Sequence, residues 1–75
     1  MIKLDYNLIY KNFEVNFYTE LKGCKLYKVK KYIYINFLKD CNVFRILNEL
    51  HIHSICFNYY VDHITINMDN LKELF

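Results

Sequence analysis

The sequence predicts a small two-layer α+β domain: an antiparallel sheet of four to five strands packed under one main helix, with a short C-terminal helix. Three observations predict it. Apolar residues alternate with period two through much of the chain, while the segment at about 41–51 repeats at three and four instead. A chain of 75 residues also has room for only one core, so residues 1–75 are expected to form a single domain.

At the N-terminal end, Ile2, Leu4, Tyr6, Leu8 and Tyr10 share one parity, and after Lys11-Asn12 the apolar parity passes to Phe13, Val15 and Phe17. This pattern predicts two strands joined by a tight turn. Residues 5–21 also carry a helical spacing through Leu8, Ile9, Phe13, Phe17 and Leu21, so hairpin and helix both stand at this point. Lys22-Gly23 breaks the pattern.

From Tyr27 to Phe37 the sequence predicts one strand, rich in β-branched and aromatic residues. Val29, Ile33, Ile35 and Phe37 should face the core, and Lys28, Lys30, Tyr32, Tyr34 and Asn36 the other side. Asp40 is the expected N-cap of the main helix. Its apolar stripe is Val43, Ile46, Leu47 and Leu50, widened by Phe44, with Asn42, Arg45, Asn48 and Glu49 opposite. A hairpin follows: Ile55, Phe57 and Tyr59 on one arm, a turn at Val61-Asp62-His63, and Ile64, Ile66 and Met68 on the other. Asp69 is the expected cap of a terminal helix from Asn70 to Phe75, with Leu71 and Leu74 or Phe75 inward.

The order strand–helix–strand–strand–helix is that of a ferredoxin-like fold without its last strand. Within it, Asn42-Val43-Phe44-Arg45-Ile46-Leu47-Asn48-Glu49-Leu50 running into His51-Ile52-His53-Ser54-Ile55 resembles the V-x-x-I-L-x-x-L helix and following "I-x-x-I" passage of ACT domains. Ile64-Thr65-Ile66-Asn67 and Asn70-Leu71-Lys72-Glu73-Leu74 are similar to that family's third strand and second helix. The likeness covers residues 29–75. It implies a regulatory module that dimerises and holds an amino acid at the subunit boundary. That family commonly carries glycine at the first strand–helix turn, which here is Leu38-Lys39-Asp40-Cys41.

Composition narrows the function classes. The chain has no Ala, Pro or Trp and is dominated by residues with AT-rich codons, as in a low-GC bacterium or a phage or plasmid living in one. A formal charge of +2 does not name an acidic partner. No apolar run approaches the ~18–20 residues of a membrane span, and the start lacks the pattern of a secretion signal, so a cytoplasmic location is expected. Three cysteines without a CxxC spacing point to free thiols rather than a disulfide framework.

Chemistry-bearing groups are scattered. His51, His53, Cys56 and His63 are the candidate metal ligands, yet on a strand His53 and Cys56 would project to opposite faces, so no metal site is expected. Cys41 at a helix start lacks an evident base, the carboxylates form no evident pair, and one glycine cannot build a phosphate loop. Neither catalysis nor a cofactor is expected.

The constellation that stands out is Lys28, Lys30, Tyr32 and Tyr34 on one strand face, with Tyr60 beside them. With 14 aromatic residues in so short a chain, some must lie at the surface, where tyrosine is common in contacts. The expected function is that of a non-enzymatic protein-binding module acting on a larger protein or on a second copy of itself. A concrete form is an inhibitor carried by a phage or mobile element, of the anti-CRISPR kind. The alternatives are the ACT-like amino-acid sensor and an RNA or single-stranded DNA binder using the lysines and tyrosines.

Overall fold

The computed structural model describes residues 5–17 and 23–71. Their element order is α1 (Tyr6–Phe17), β1 (Cys24–Val29), β2 (Tyr32–Phe37), α2 (Val43–Ile52), β3 (Asn58–Tyr59), β4 (His63–Asn67) and a 3-10 turn at Met68–Asn70. The α+β class and the antiparallel sheet are those the periodicities predict. Among the described residues the sheet has four strands in the order β1-β2-β4-β3.

The N-terminal segment is a helix, which corrects the hairpin reading for residues 5–17; residues 2–4 and Leu21 lie outside the described residues. Ile9, Phe13 and Phe17 recur every four residues and form its buried face. The Asp5 carboxylate accepts from the backbone N–H groups of Asn7 and Leu8 at 3.1 and 3.3 Å, capping the first turn. Leu8 and Val15, which the alternating pattern counted as apolar signal, are exposed.

The single strand expected over 27–37 is also corrected. Lys30-Lys31 forms a two-residue turn, and Val29 pairs with Tyr32, Tyr27 with Tyr34 and Lys25 with Asn36. Directly paired residues share a face, so the turn inverts the parity of everything before it. Cys24, Leu26 and Lys28 thereby fall on the side of Ile33, Ile35 and Phe37. Val29, expected in the core, is 45% exposed on the opposite side.

One face of the sheet carries the core. Ile33, Ile35, Ile64 and Ile66 meet Ile46 and Leu50 of α2 and Ile9, Phe13 and Phe17 of α1, with Ile55, Met68 and Leu71 completing the cluster. Burying one such aliphatic side chain contributes roughly 1.5–3 kcal/mol. In α2 the stripe is narrower than its sequence suggests. Ile46 and Leu50 are buried and Leu47 is partly buried, but Phe44 is 84% exposed. Its N-cap is Asn42, whose side chain accepts from the Arg45 N–H at 3.2 Å, and not Asp40. Likewise Asn67, not Asp69, caps the 3-10 turn by accepting from the Asp69 N–H at 2.9 Å. The rest of the terminal helix expected at Asn70–Phe75 lies mostly outside the described residues.

Candidate functional site

The register sorts the five sequence-selected residues into two places. Tyr34 and Tyr60 belong to the sheet face that no described helix covers. Lys28, Lys30 and Tyr32 line a cleft at the β1–β2 turn. They therefore do not form the single stripe that their spacing suggests, because Lys28 stands on the core side of β1 and Lys30 within the turn. Tyr32 pairs with Asn67 and stands at the border of both regions.

On the uncovered face, Tyr27 stacks on Tyr34 with ring centroids 5.0 Å apart and an interplanar angle of 9°. Tyr34 stacks on His63 at 5.8 Å, and His63 on Tyr60 at 4.6 Å. The result is a continuous four-ring stack crossing from β1 through β2 to β4 and the loop beside it. The stack runs from strand to strand, so Tyr34 and His63 each have a ring on both faces, while Tyr27 and Tyr60 end it. Such offset stacking fixes side chains before any partner arrives.

The backbone places these rings. Cross-strand pairing sets Tyr27 opposite Tyr34, and Tyr34 opposite Thr65, which is buried with 8% exposure and forms the floor. His63 is opposite Asn36, and the Tyr60 N–H donates to the His63 carbonyl at 2.8 Å, folding the loop so that its ring returns onto the imidazole. The His63 Nδ1 atom lies 2.6 Å from the Asp62 carboxylate. That hydrogen bond holds the Asp62 carboxyl below the usual carboxylate range. Lys25, Asn36, Asn58 and Asn67 surround the rings through the same strand parity.

Sequence reasoning missed Tyr27 and His63. Alternation alone puts Tyr27 at the head of the 27–37 strand, and the spacing of His63 reads as that of a turn residue or metal ligand. The missing signal was the turn at Lys30-Lys31, which has no glycine or asparagine. Lys30 adopts a left-handed φ of +53° there, a conformation that side-chain-bearing residues seldom take.

Around the cleft, Asp5, Tyr6 and Asn7 of the α1 start face Lys28, Lys30, Lys31 and Tyr32 across a volume of about 740 Å³. The Tyr6 hydroxyl donates to Asp69 at 2.7 Å, and Lys31 pairs with the other oxygen of the same carboxylate at 3.5 Å. Both the hydrogen bond and the negative charge of Asp69 push the Tyr6 hydroxyl pKa up. The remaining histidines are elsewhere: His53 sits edge-on to Phe17 and 3.7 Å from Glu49, and His51 ends α2. Among the described residues no three His, Cys, Asp or Glu side chains converge on a point that could hold a metal. No described helix is long and apolar enough to cross a membrane.

The likeness of residues 29–75 to ACT domains rests on the sequence alone. Compared with protein-family models, curated proteins and solved structures, the chain matches none of them.

Proposed function

We propose that this chain is a non-enzymatic binding module that takes a larger protein on the uncovered face of its sheet. The observation that carries the reading is the four-ring stack Tyr27–Tyr34–His63–Tyr60. It is preformed, rich in tyrosine and bordered mainly by asparagines. Interfaces between proteins favour such surfaces, with aromatic anchors at the centre and few charges. Rings already held by one another give up little side-chain entropy on contact.

The same geometry weighs against nucleic acid on this face. A base stacks on an open ring face, whereas here Tyr34 and His63 are sandwiched and only the end rings Tyr27 and Tyr60 could take one. Of the lysines 25, 28, 30 and 31, Lys28 stands on the opposite side of β1 and Lys30 and Lys31 make the turn, leaving Lys25 beside the rings. An inhibitor of a larger host protein is the form of this activity that the chain's size and composition favour.

The test is quantitative affinity capture from the cells that make the protein, read by mass spectrometry, with wild type beside Tyr34→Ala/Tyr60→Ala. One protein should be enriched by the wild type and fall at least tenfold with the double variant. Tyr60→Ala alone, in the exposed loop, guards against a folding defect and should give an intermediate loss. Unchanged capture by both variants, at unchanged melting temperature, would refute the reading. So would a single-stranded oligonucleotide bound through these rings with affinity that falls steeply in salt.

A further inference from the structure

The cleft at the β1–β2 turn is separate from the ring stack and chemically unlike it. Three lysines reach it from one turn: Lys28 at the end of β1, and Lys30 and Lys31 in the turn itself. Lys31 is already paired with Asp69. Lys28 and Lys30 have no carboxylate partner among the described residues, and Lys28 reaches only the Lys30 carbonyl, at 3.5 Å. Asp5 is the acidic residue lining the cleft; its Oδ1 caps α1, and its single negative charge is outnumbered by the lysines around the opening. That capping also closes off the helix start, so the lysines supply the attraction.

Like charges that line one concave surface favour the arrival of a counter-charge. An anion at the two ammonium groups offsets their charge and makes charge-assisted hydrogen bonds. The cleft is larger than one oxyanion needs and lies in the range of about 300–1,000 Å³ typical of small-molecule sites. Tyr6 and Tyr32 complete the lining, with the Lys31 ammonium 5.9 Å from the Tyr32 ring centroid. Tyr6 is fixed by its bond to Asp69, while Tyr32 keeps 36% of its surface exposed.

We propose that this cleft binds a nucleoside phosphate, with its phosphate at Lys28 and Lys30 and its base toward the tyrosines, Tyr6 and Tyr32, that complete the lining. The turn that corrects the strand reading is thus also what brings the two lysines to one opening. Ligand binding here would brace α1 against the β1–β2 hairpin, since the cleft is lined from both.

Titration of the isotopically labelled chain with ADP at low salt, followed amide by amide in NMR spectra, tests the proposal. Shifts should saturate and centre on Lys28, Lys30, Lys31 and Tyr32, and adenosine without phosphate should leave them unmoved. Inorganic phosphate should reach the lysines but bind at least tenfold more weakly than ADP. Lys28→Gln/Lys30→Gln should weaken ADP binding at least tenfold, while Lys39→Gln, on an exposed turn, changes it less than twofold. No saturable shift, shifts spread evenly over all lysines, or equal weakening by Lys39→Gln would each overturn the site. Tighter binding of a single-stranded oligonucleotide than of ADP at the same lysines would overturn its assignment to a small ligand.

Discussion

Burial pushes the Cys24 thiol up to about 11, and the neighbouring Cys41 sulfur adds to the rise. The cause is the turn before it. Gly23 has φ of +78°, and a Cβ there would stand 3.0 Å from the Cys41 Cα, so the chain needs glycine to bring the start of β1 against the loop before α2. The Gly23 carbonyl also accepts from the Leu38 N–H at 3.0 Å. Gly23 is legible in the sequence as a pattern breaker, but its contact is not, because its partner lies 18 residues away. The thiols should therefore react unequally. At pH 8 a thiol near 11 is ionised to only about one part in a thousand, far less than an ordinary one near 8.5. Part of the gap closes because a more basic thiolate is more nucleophilic. Iodoacetamide should therefore label exposed Cys56 first and Cys24 at least tenfold more slowly, as read by peptide mass spectrometry; equal rates would contradict the burial described for Cys24.

The elements differ in how plainly their sequences state them. Helix α2 has a capping residue and two deep anchors at i and i+4, Ile46 and Leu50, and its range departs little from expectation. Helix α1 carried two periods at once, because Tyr6, Leu8 and Tyr10 alternate while Ile9, Phe13 and Phe17 recur in fours. Only burial decides between them, and the phenylalanines win. Besides Gly23, two described residues are left-handed, Lys30 and Ser54, and they mark the places where the sequence was silent, since neither is the glycine or asparagine that such a φ favours. Ser54 follows the end of α2 at φ +55°; its N–H donates to the His51 carbonyl at 3.0 Å, and the Ile55 N–H to Leu50 at 2.9 Å. That is a Schellman closure, with buried Ile55 and Leu50 as its apolar contact. A side-chain-bearing residue in this conformation costs about 1–2 kcal/mol, partly offset by the greater freedom glycine has when unfolded. Ser54→Gly should then stabilise the protein by about 0.5–1 kcal/mol in urea unfolding. A loss of stability would mean that α2 does not end in this way.

At the largest scale, among the described residues, one sheet face is closed by two helices and the other carries side chains that stack on each other. The closed face was legible, since Ile33, Ile35, Ile64, Ile66, Ile46 and Leu50 all lie where alternation and helical spacing put them. The uncovered face was only half legible. Alternation marks Tyr34 in β2 and Tyr60 in the loop after β3, while the stacking of Tyr27 on Tyr34 depends on a register that a cryptic turn sets. Packing links the two faces, because Ile33 and Ile35 alternate along β2 with Tyr32 and Tyr34. The phenylalanines of α1 press on that layer from below. Phe13 has no exposed surface and stacks on Phe17 at 4.7 Å, so α1 is anchored mainly through this pair. Phe13→Ala should cost about 3–5 kcal/mol, a large share of the roughly 5–15 kcal/mol that holds a small domain together. If the molecule is one cooperative unit, the helix signal in the far ultraviolet and the tyrosine signal in the near ultraviolet should melt together, at a midpoint lowered by more than about 10 °C. Loss of the helix signal alone, with the tyrosine stack melting at its original temperature, would show that the hairpin face holds its rings without α1 and that its binding surface is independent of the core.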